Sequence, residues 1–455
     1  MPALSVVLQL VAITHATVVD PDAARPRRDQ TIVVRGTRIE TVGPSATTPV
    51  PRGARVVNAT GKFVIPGMWD MHMHADVPGG RALLPLYVAH GVTGVRDMNG
   101  RLEVQRGLQR EVTAGTLVGP RMVVSGPFLV GRPLPAALGT AHYLVRDSIS
   151  AVSAVAAVAA AGADFIKVHN GISAEAHRVI AAEARRRGMV FAGHVAPPTT
   201  VVEAAAAGQR SQEHLYAFVN HCTATDSAVV AAALPVQQFI MGTCTSASQA
   251  DVYAALAQHR TWVTPTLIVQ ELVATMRPTI VAGDRTAQFY SDSMMQRVAM
   301  EMEMPAAVPP SAVAAGAVLF RKRLDVVRGL HAAGVPLLGG TDSPLAAGGP
   351  GRSLVGELRH LVAAGLSPRE ALRTVTTEPA RYLAADSLGA VARGAVADLV
   401  VLDADPLADI GNVARVHLVV ANGRVYDRAA RAAIEAAALQ AARKAAGPAP
   451  RKGGR

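Results

Sequence analysis

The sequence predicts an α/β protein, a (β/α)8 TIM barrel with a small composite β-sandwich domain built from both termini. Three observations predict it. Between residues 63 and 385, eight apolar strand candidates alternate with helical stretches. The two ends, 1–62 and 386–430, read instead as short strands with glycine turns. Polar side chains able to bind metal close several of the central strands, where a barrel of this kind carries its active site. A doubly wound open sheet is the structural alternative.

The 455 residues suffice for one large domain and a small one. Half of them are hydrophobic and 17% are charged, which excludes a disordered chain. The formal charge of +11 is dispersed, with small clusters at Arg185-Arg186-Arg187 and in the last five residues. No arginine–aromatic stripe is present, so no nucleic-acid partner is expected. Cys222 and Cys244 are the only cysteines, which excludes a disulfide framework and a Cys-x-x-Cys site and leaves one bridge open. No run approaches the ~20 apolar residues of a membrane span. Residues 1–14 are apolar, with no basic residue ahead of the run. The expected location is cytoplasmic, or secreted or periplasmic if this segment is a truncated signal peptide. Oligomeric state stays open, a homo-oligomer included.

In order, residues 11–14 and 17–19 read as first strands, followed by a polar loop over 20–30. A hairpin then turns through Gly36. Residues 397–403 and 416–426 have the same texture, and Asn422-Gly423 is a hairpin turn. The central strands are 63–74, 92–98, 121–125, 164–169, 190–195, 210–214, 261–269 and 336–342. Ser148–Ala161 and Ser173–Arg187 read as helices, the second capped by Ser173. Thr200 with Glu203, and Ser367 with Glu370, read as capping boxes. The methionines of 270–320 predict ordinary packing or an adaptable wall over a pocket. Residues 431–455 read as a helix and then a disordered basic tail.

His72 and His74 end the first central strand one residue apart, so strand alternation points both to one side. Alone the pair is weak evidence in a chain of 14 histidines. Lys167 follows in the fourth strand, His194 in the fifth, His214 in the sixth and Asp342 in the eighth. Each polar group closes an apolar or glycine-bearing run, and coincidence at so many strand ends is a poor account.

Pro66-Gly67-Met68-Trp69-Asp70-Met71-His72-Met73-His74, Gly91-Val92-Thr93-Gly94-Val95-Arg96-Asp97-Met98 and Ala397-Asp398-Leu399-Val400-Val401-Leu402-Asp403 together resemble the amidohydrolase superfamily, over about residues 9–430. The likeness is to its branch of prolidase-like dipeptidases, carboxypeptidase-like members and ochratoxin-hydrolysing amidases. It implies two divalent ions, zinc by preference and otherwise manganese or cobalt. His72, His74 and Asp342 would hold one ion, and His194 and His214 the other. A carbon dioxide-derived carbamate on Lys167 and a hydroxide would bridge them. Asp342 would act as general base and then acid in hydrolysis of a small-molecule amide or dipeptide. His142 would polarise the substrate carbonyl, and His169, Tyr216 and His221 would contact substrate. Arg96 and Asp97 are expected to be structural. A cyclic-amide hydrolase, as in imidazolonepropionase- or hydantoinase-like relatives, a mononuclear deaminase and an inactive scaffold are the alternatives.

Overall fold

The computed structural model describes residues 9–136, 139–195, 198–215, 217–218, 220–221, 232, 244–245, 249–275, 287–301, 308–344 and 349–445. Its N-terminal strands are β1 (Leu10–Val18), β2 (Arg27–Arg35), β3 (Arg38–Pro44), β4 (Arg55–Asn58) and β5 (Phe63–Pro66). β1 is one strand and not two. It bends at His15, which has a positive φ of 58°, and its register with β2 shifts there. Val11 and Ile13 before the bend, and Ala16 and Val18 after it, enter the same buried cluster.

The central region carries β6 (Met68–Met73), β7 (Val92–Asp97), β8 (Arg121–Val124), β9 (Phe128–Val130), β10 (His142–Leu144), β11 (Ile166–Val168), β12 (Phe191–Gly193), β13 (Ser211–Glu213), β14 (Asn220–His221), β15 (Cys244–Thr245) and β16 (Trp262–Thr264). Among the described residues six helices lie between them: α1 (Gly80–Ala89), α2 (Leu102–Ala114), α3 (Ser148–Ala160), α4 (Ala174–Arg186), α5 (Val201–Ala206) and α6 (Gln249–Gln258). β6-β7-β8 form one parallel sheet, and β10-β9-β11-β12-β13-β16 form another. The ladder is therefore divided and not one closed ring. Backbone hydrogen bonds link the edges. Asp164 N donates to Val124 O (2.9 Å), Leu338 N to Val263 O (2.9 Å), Met71 N to Gly339 O (2.9 Å) and Asp342 N to His72 O (2.7 Å).

Three strand expectations need correction. The 63–74 segment is two strands, because β5 belongs to the terminal sheet and only β6 enters the central one. The 261–269 strand stops at Thr264. Pro265 follows, Thr266 takes a positive φ of 47°, and a helix runs from Leu267 to Thr275. Residues 336–342 make one isolated bridge, at Leu337, with a second just beyond them at Ser343, and no ladder. β9 and β10 lie between the expected strands 121–125 and 164–169, and the apolar run Phe128-Leu129-Val130 accounts for the first.

β17 (Leu399–Leu402), β18 (Val416–Ala421) and β19 (Arg424–Tyr426) return to the beginning of the chain. The order is β19-β18-β17-β5-β1-β2-β3, with β4 beside β1. Both ends thus build one eight-stranded sheet, and the segment just before β17 returns to β3, where Ile39 N donates to Ala395 O (2.9 Å). The sheet's alternate residues, including Ile32, Val34, Val64, Leu399, Val401 and Leu418, form one buried cluster. Each such side chain contributes about 1.5–3 kcal/mol when fully buried.

Ser173 accepts from Ala176 N (3.1 Å), and the two expected capping boxes form, at Thr200 and at Ser367. The helix Arg428–Ala445 lays Ala438 against Leu83 and Leu86 of α1. Among the described residues, no helix is long and apolar enough to cross a membrane.

Candidate metal centre

His72 lies one residue before the end of the fully buried β6, and Gly340 makes room for it. A Cβ on Gly340 would stand 2.9 Å from the His72 backbone nitrogen and Cβ. This close approach brings the eighth segment onto β6. Asp70 fastens the same seam. Its carboxylate accepts from Thr341 Oγ1 (2.6 Å), Thr341 N (3.0 Å) and His72 N (3.2 Å). Asp342, the next residue, takes a positive φ of 55°. Its carboxylate lies 3.0 Å from His74 Nε2, 3.6 Å from His72 Nε2 and 3.9 Å from His214 Nδ1. One ligand atom each from His72, His214 and Asp342 lie within 4.8 Å of one another.

The other strand-end residues gather around this trio. The His72 and His214 ring centroids are 4.4 Å apart, those of His194 and His214 4.7 Å, and those of His72 and His74 5.5 Å. Gly193 lets β12 deliver His194. Its φ is 138°, and a Cβ there would meet Val168 O at 2.1 Å. His214 and Thr266, whose side chains stand 2.8 Å apart, both hold positive φ angles, as Asp342 does. Such backbone strain in non-glycine residues concentrates at functional sites.

Lys167 is buried, and its Nζ has no hydrogen-bond partner among the described residues. Burial pulls the ammonium down to about 8. Its charge in turn depresses His72, His169 and His194. Burial, first of all, pushes His72 down to about 4, His169 to about 3, and His194 and His214 well below the usual range. Burial alone would raise Asp342, but His214, His72 and His74 hold it well below the carboxylate range. His72, His169, His194 and His214 are thus neutral imidazoles, beside one carboxylate and an amine brought closer to its neutral form. That donor set fits a divalent cation. The partnerless Lys167 Nζ fits a lysine built to carry something further.

Of the residues expected to touch substrate, His169 joins the cluster's edge. It lies between Phe128 and His194, with centroids 4.5 and 4.2 Å away, and its buried Nδ1 has no partner among the described residues. His142 begins β10, is half-buried and pairs with Phe128 in the ladder. Its Nδ1 stands 2.9 Å from Thr140 O. Tyr216 lies outside the described residues, as does the side chain of His221, whose backbone is in β14. Arg96 and Asp97 are buried, and Asp97 Oδ1 accepts from Ala75 N (3.3 Å) as a loop anchor.

Glu213 carried no role in the sequence analysis. The structure puts its Oε2 2.9 Å from His72 Nδ1 and both its oxygens on Arg96. A signal was present, since an acid in a strand next to a candidate ligand, and an arginine in another apolar strand, need each other when buried.

The chain aligns with a Bifidobacterium longum protein assigned as a prolidase, at 26% identity and TM-score 0.68 over 96% of this chain and 99% of that one. Bottromycin amidohydrolase superposes with TM-score 0.74 at 23% identity, over 95% and 90% of the two chains. The ochratoxinase of Aspergillus niger is 25% identical over 265 residues, 45% of this chain and 54% of that one. The chain spans about half the length, or less, of the curated relatives it matches. These relatives fall in the branch that the strand motifs anticipated. The family model covers residues 63–426, and the chain belongs to the Amidohydrolase family.

Proposed function

We propose that this protein is a binuclear metal-dependent hydrolase that cleaves an amide C–N bond, with a dipeptide or N-acyl amino acid as substrate. The observation that carries the reading is the convergence of His72, His214 and Asp342 on one point beside a buried, partnerless Lys167. The divided parallel sheets are read as one (β/α)8 barrel whose strand ends carry the site. His72, His74 and Asp342 would hold one ion and His194 and His214 the second, with zinc as the first candidate. The neutral amine of Lys167 would add to carbon dioxide and release a proton, and its carbamate oxygens would serve both ions. The ions, when bound, supply Lewis-acid polarisation of the scissile carbonyl and acidify water.

The protein's own part is then proton traffic and placement. Asp342, kept ionised among histidines, accepts the proton of the attacking water on a carboxylate oxygen and returns it to the leaving nitrogen. His72, His194 and His214 stay neutral, so their lone pairs remain available. The names of the relatives, a prolidase, an ochratoxinase and an amidohydrolase, support an amide substrate.

The test is metal per chain by elemental analysis, on protein produced with zinc and bicarbonate, for the parent and for Lys167→Ala. About two ions in the parent and clearly fewer in the variant are expected. Equal content in both, or none in the parent, overturns the reading. A panel of Xaa-Pro dipeptides, N-acyl-phenylalanines and cyclic amides then assigns the substrate class.

A further inference from the structure

Three clustered histidines each set Nδ1 against a different side chain, and only one of those is charged. His194 meets Asn170 Oδ1 at 2.9 Å, and His214 meets Thr266 Oγ1 at 2.8 Å. His72 meets Glu213 Oε2 at 2.9 Å. Glu213 is fixed in turn. Arg96 donates to both its oxygens at 2.9 and 3.0 Å, and Ser211 Oγ donates to Oε1 at 2.6 Å. Arg96 is anchored as firmly, donating to Met71 O (2.6 Å), Tyr382 Oη (2.8 Å) and Thr264 Oγ1 (3.2 Å). His72, Arg96 and Glu213 are all at most 2% exposed.

A buried guanidinium–carboxylate couple is an expensive way to fill a core, since apolar side chains of the same volume serve as well or better. Its placement directly behind one histidine suggests another use. We propose that Arg96 and Glu213 are positioning residues for the metal centre, holding His72 in the Nδ1–H tautomer and strengthening it as a donor through Nε2. The inference rests on the metal-site reading above.

An ionised carboxylate only accepts, so the Nδ1 facing it carries the hydrogen. The lone pair then sits on Nε2, the atom 3.6 Å from Asp342 Oδ1. A carboxylate behind an imidazole raises its basicity more than an amide or hydroxyl does. The support is therefore lopsided, strongest behind the histidine that shares the ion with His74 and Asp342. Arg96 matters because it pins the carboxylate in place from the far side.

The experiment is zinc affinity of the full chain by competition with a chromogenic chelator, with the melting temperature of each metal-free protein as companion. Glu213→Gln keeps the volume and removes the charge. The pair Arg96→Met with Glu213→Gln removes both charges and leaves no buried ion behind, so it decides the matter if the single variant does not fold. Asp398→Asn is the control. It breaks the 2.6 Å ion pair with Arg121, at the opposite end of β8 from the site. Zinc affinity should fall about 10- to 100-fold in the Glu213 variants and stay at the parent value in the control. Lower melting with parent zinc affinity in a Glu213 variant would make the couple merely structural and overturn the inference. A parent that takes up no zinc at all would instead overturn the metal reading itself, and this inference with it.

Discussion

Two pairs of acids share one interior and meet opposite fates. Burial pushes all four carboxyl groups up. In Asp342 it is outweighed by His214, His72 and His74, and in Glu213 by Arg96 and His72, so both are held well below the usual carboxylate range. Asp70 and Glu357 are pushed up to about 7 and about 8. Hydrogen bonds to Thr341 and His72, or to Ile268 and Leu267, only partly offset their burial. Each also feels another carboxylate, Asp342 for Asp70 and Asp70 for Glu357. The cost of burial is common to the four. The partner decides whether a buried acid is held ionised near neutral pH, as Asp342 and Glu213 are, or keeps a large protonated fraction there, as Asp70 and Glu357 do.

The largest effect is expected from Asp342→Asn. It removes the ionised acid and keeps its shape. Turnover should fall by about 10²–10⁴-fold, the usual share of a general base, while melting stays close to the parent. Turnover within a few-fold of the parent would remove Asp342 from the proton pathway.

Glu357→Gln tests the other pair. The folded acid holds its proton up to about pH 8, whereas the unfolded one releases it near 4.5. Its raised value therefore costs nothing below about 4.5, and stability drains away as pH rises through that window, by at most about 1.4 kcal/mol per pH unit. An amide oxygen can still accept from Ile268 N, now 2.8 Å from Glu357 Oε2. Denaturant unfolding should show the variant close to the parent at pH 5 and more stable by a few kcal/mol at pH 8. A parallel pH dependence in both proteins would deny the raised value.

The smallest effect is at Ser367. Glu370 shows an acid lowered without deep burial, first by the hydroxyl of Ser367 and then by its backbone. Ser367→Ala should cost about 1 kcal/mol, read as a small fall in melting temperature with no change in activity. No fall at all would mean that the exposed cap does not hold.

The comparison also explains what could be read from the sequence. His72, His74, Lys167, His194, His214 and Asp342 were visible because each interrupts an apolar run at its end. The caps at Thr200 and Ser367 were visible because their chemistry is local. Glu213 and Asp70 were not, because each stands beside a more conspicuous histidine and its partner is remote in sequence. Arg96 was read as structural on its own, and its connection to His72 exists only in three dimensions. The break at Gly67 was hidden for a different reason. Pro66-Gly67 marks an interruption between Phe63–Ile65 and Met68-Trp69, but a local breaker does not say that the two sides join different sheets.

That break has a consequence for how the molecule comes into being. β5 leads straight into the histidine-bearing β6, yet its partner β17 pairs Leu399–Leu402 with Phe63–Pro66. During synthesis β1 is already made when this stretch appears and can pair with β5 at once, but β17, the neighbour on the other side of β5, follows only more than 300 residues later. The footing of His72 and His74 is thus completed by a strand far downstream of them.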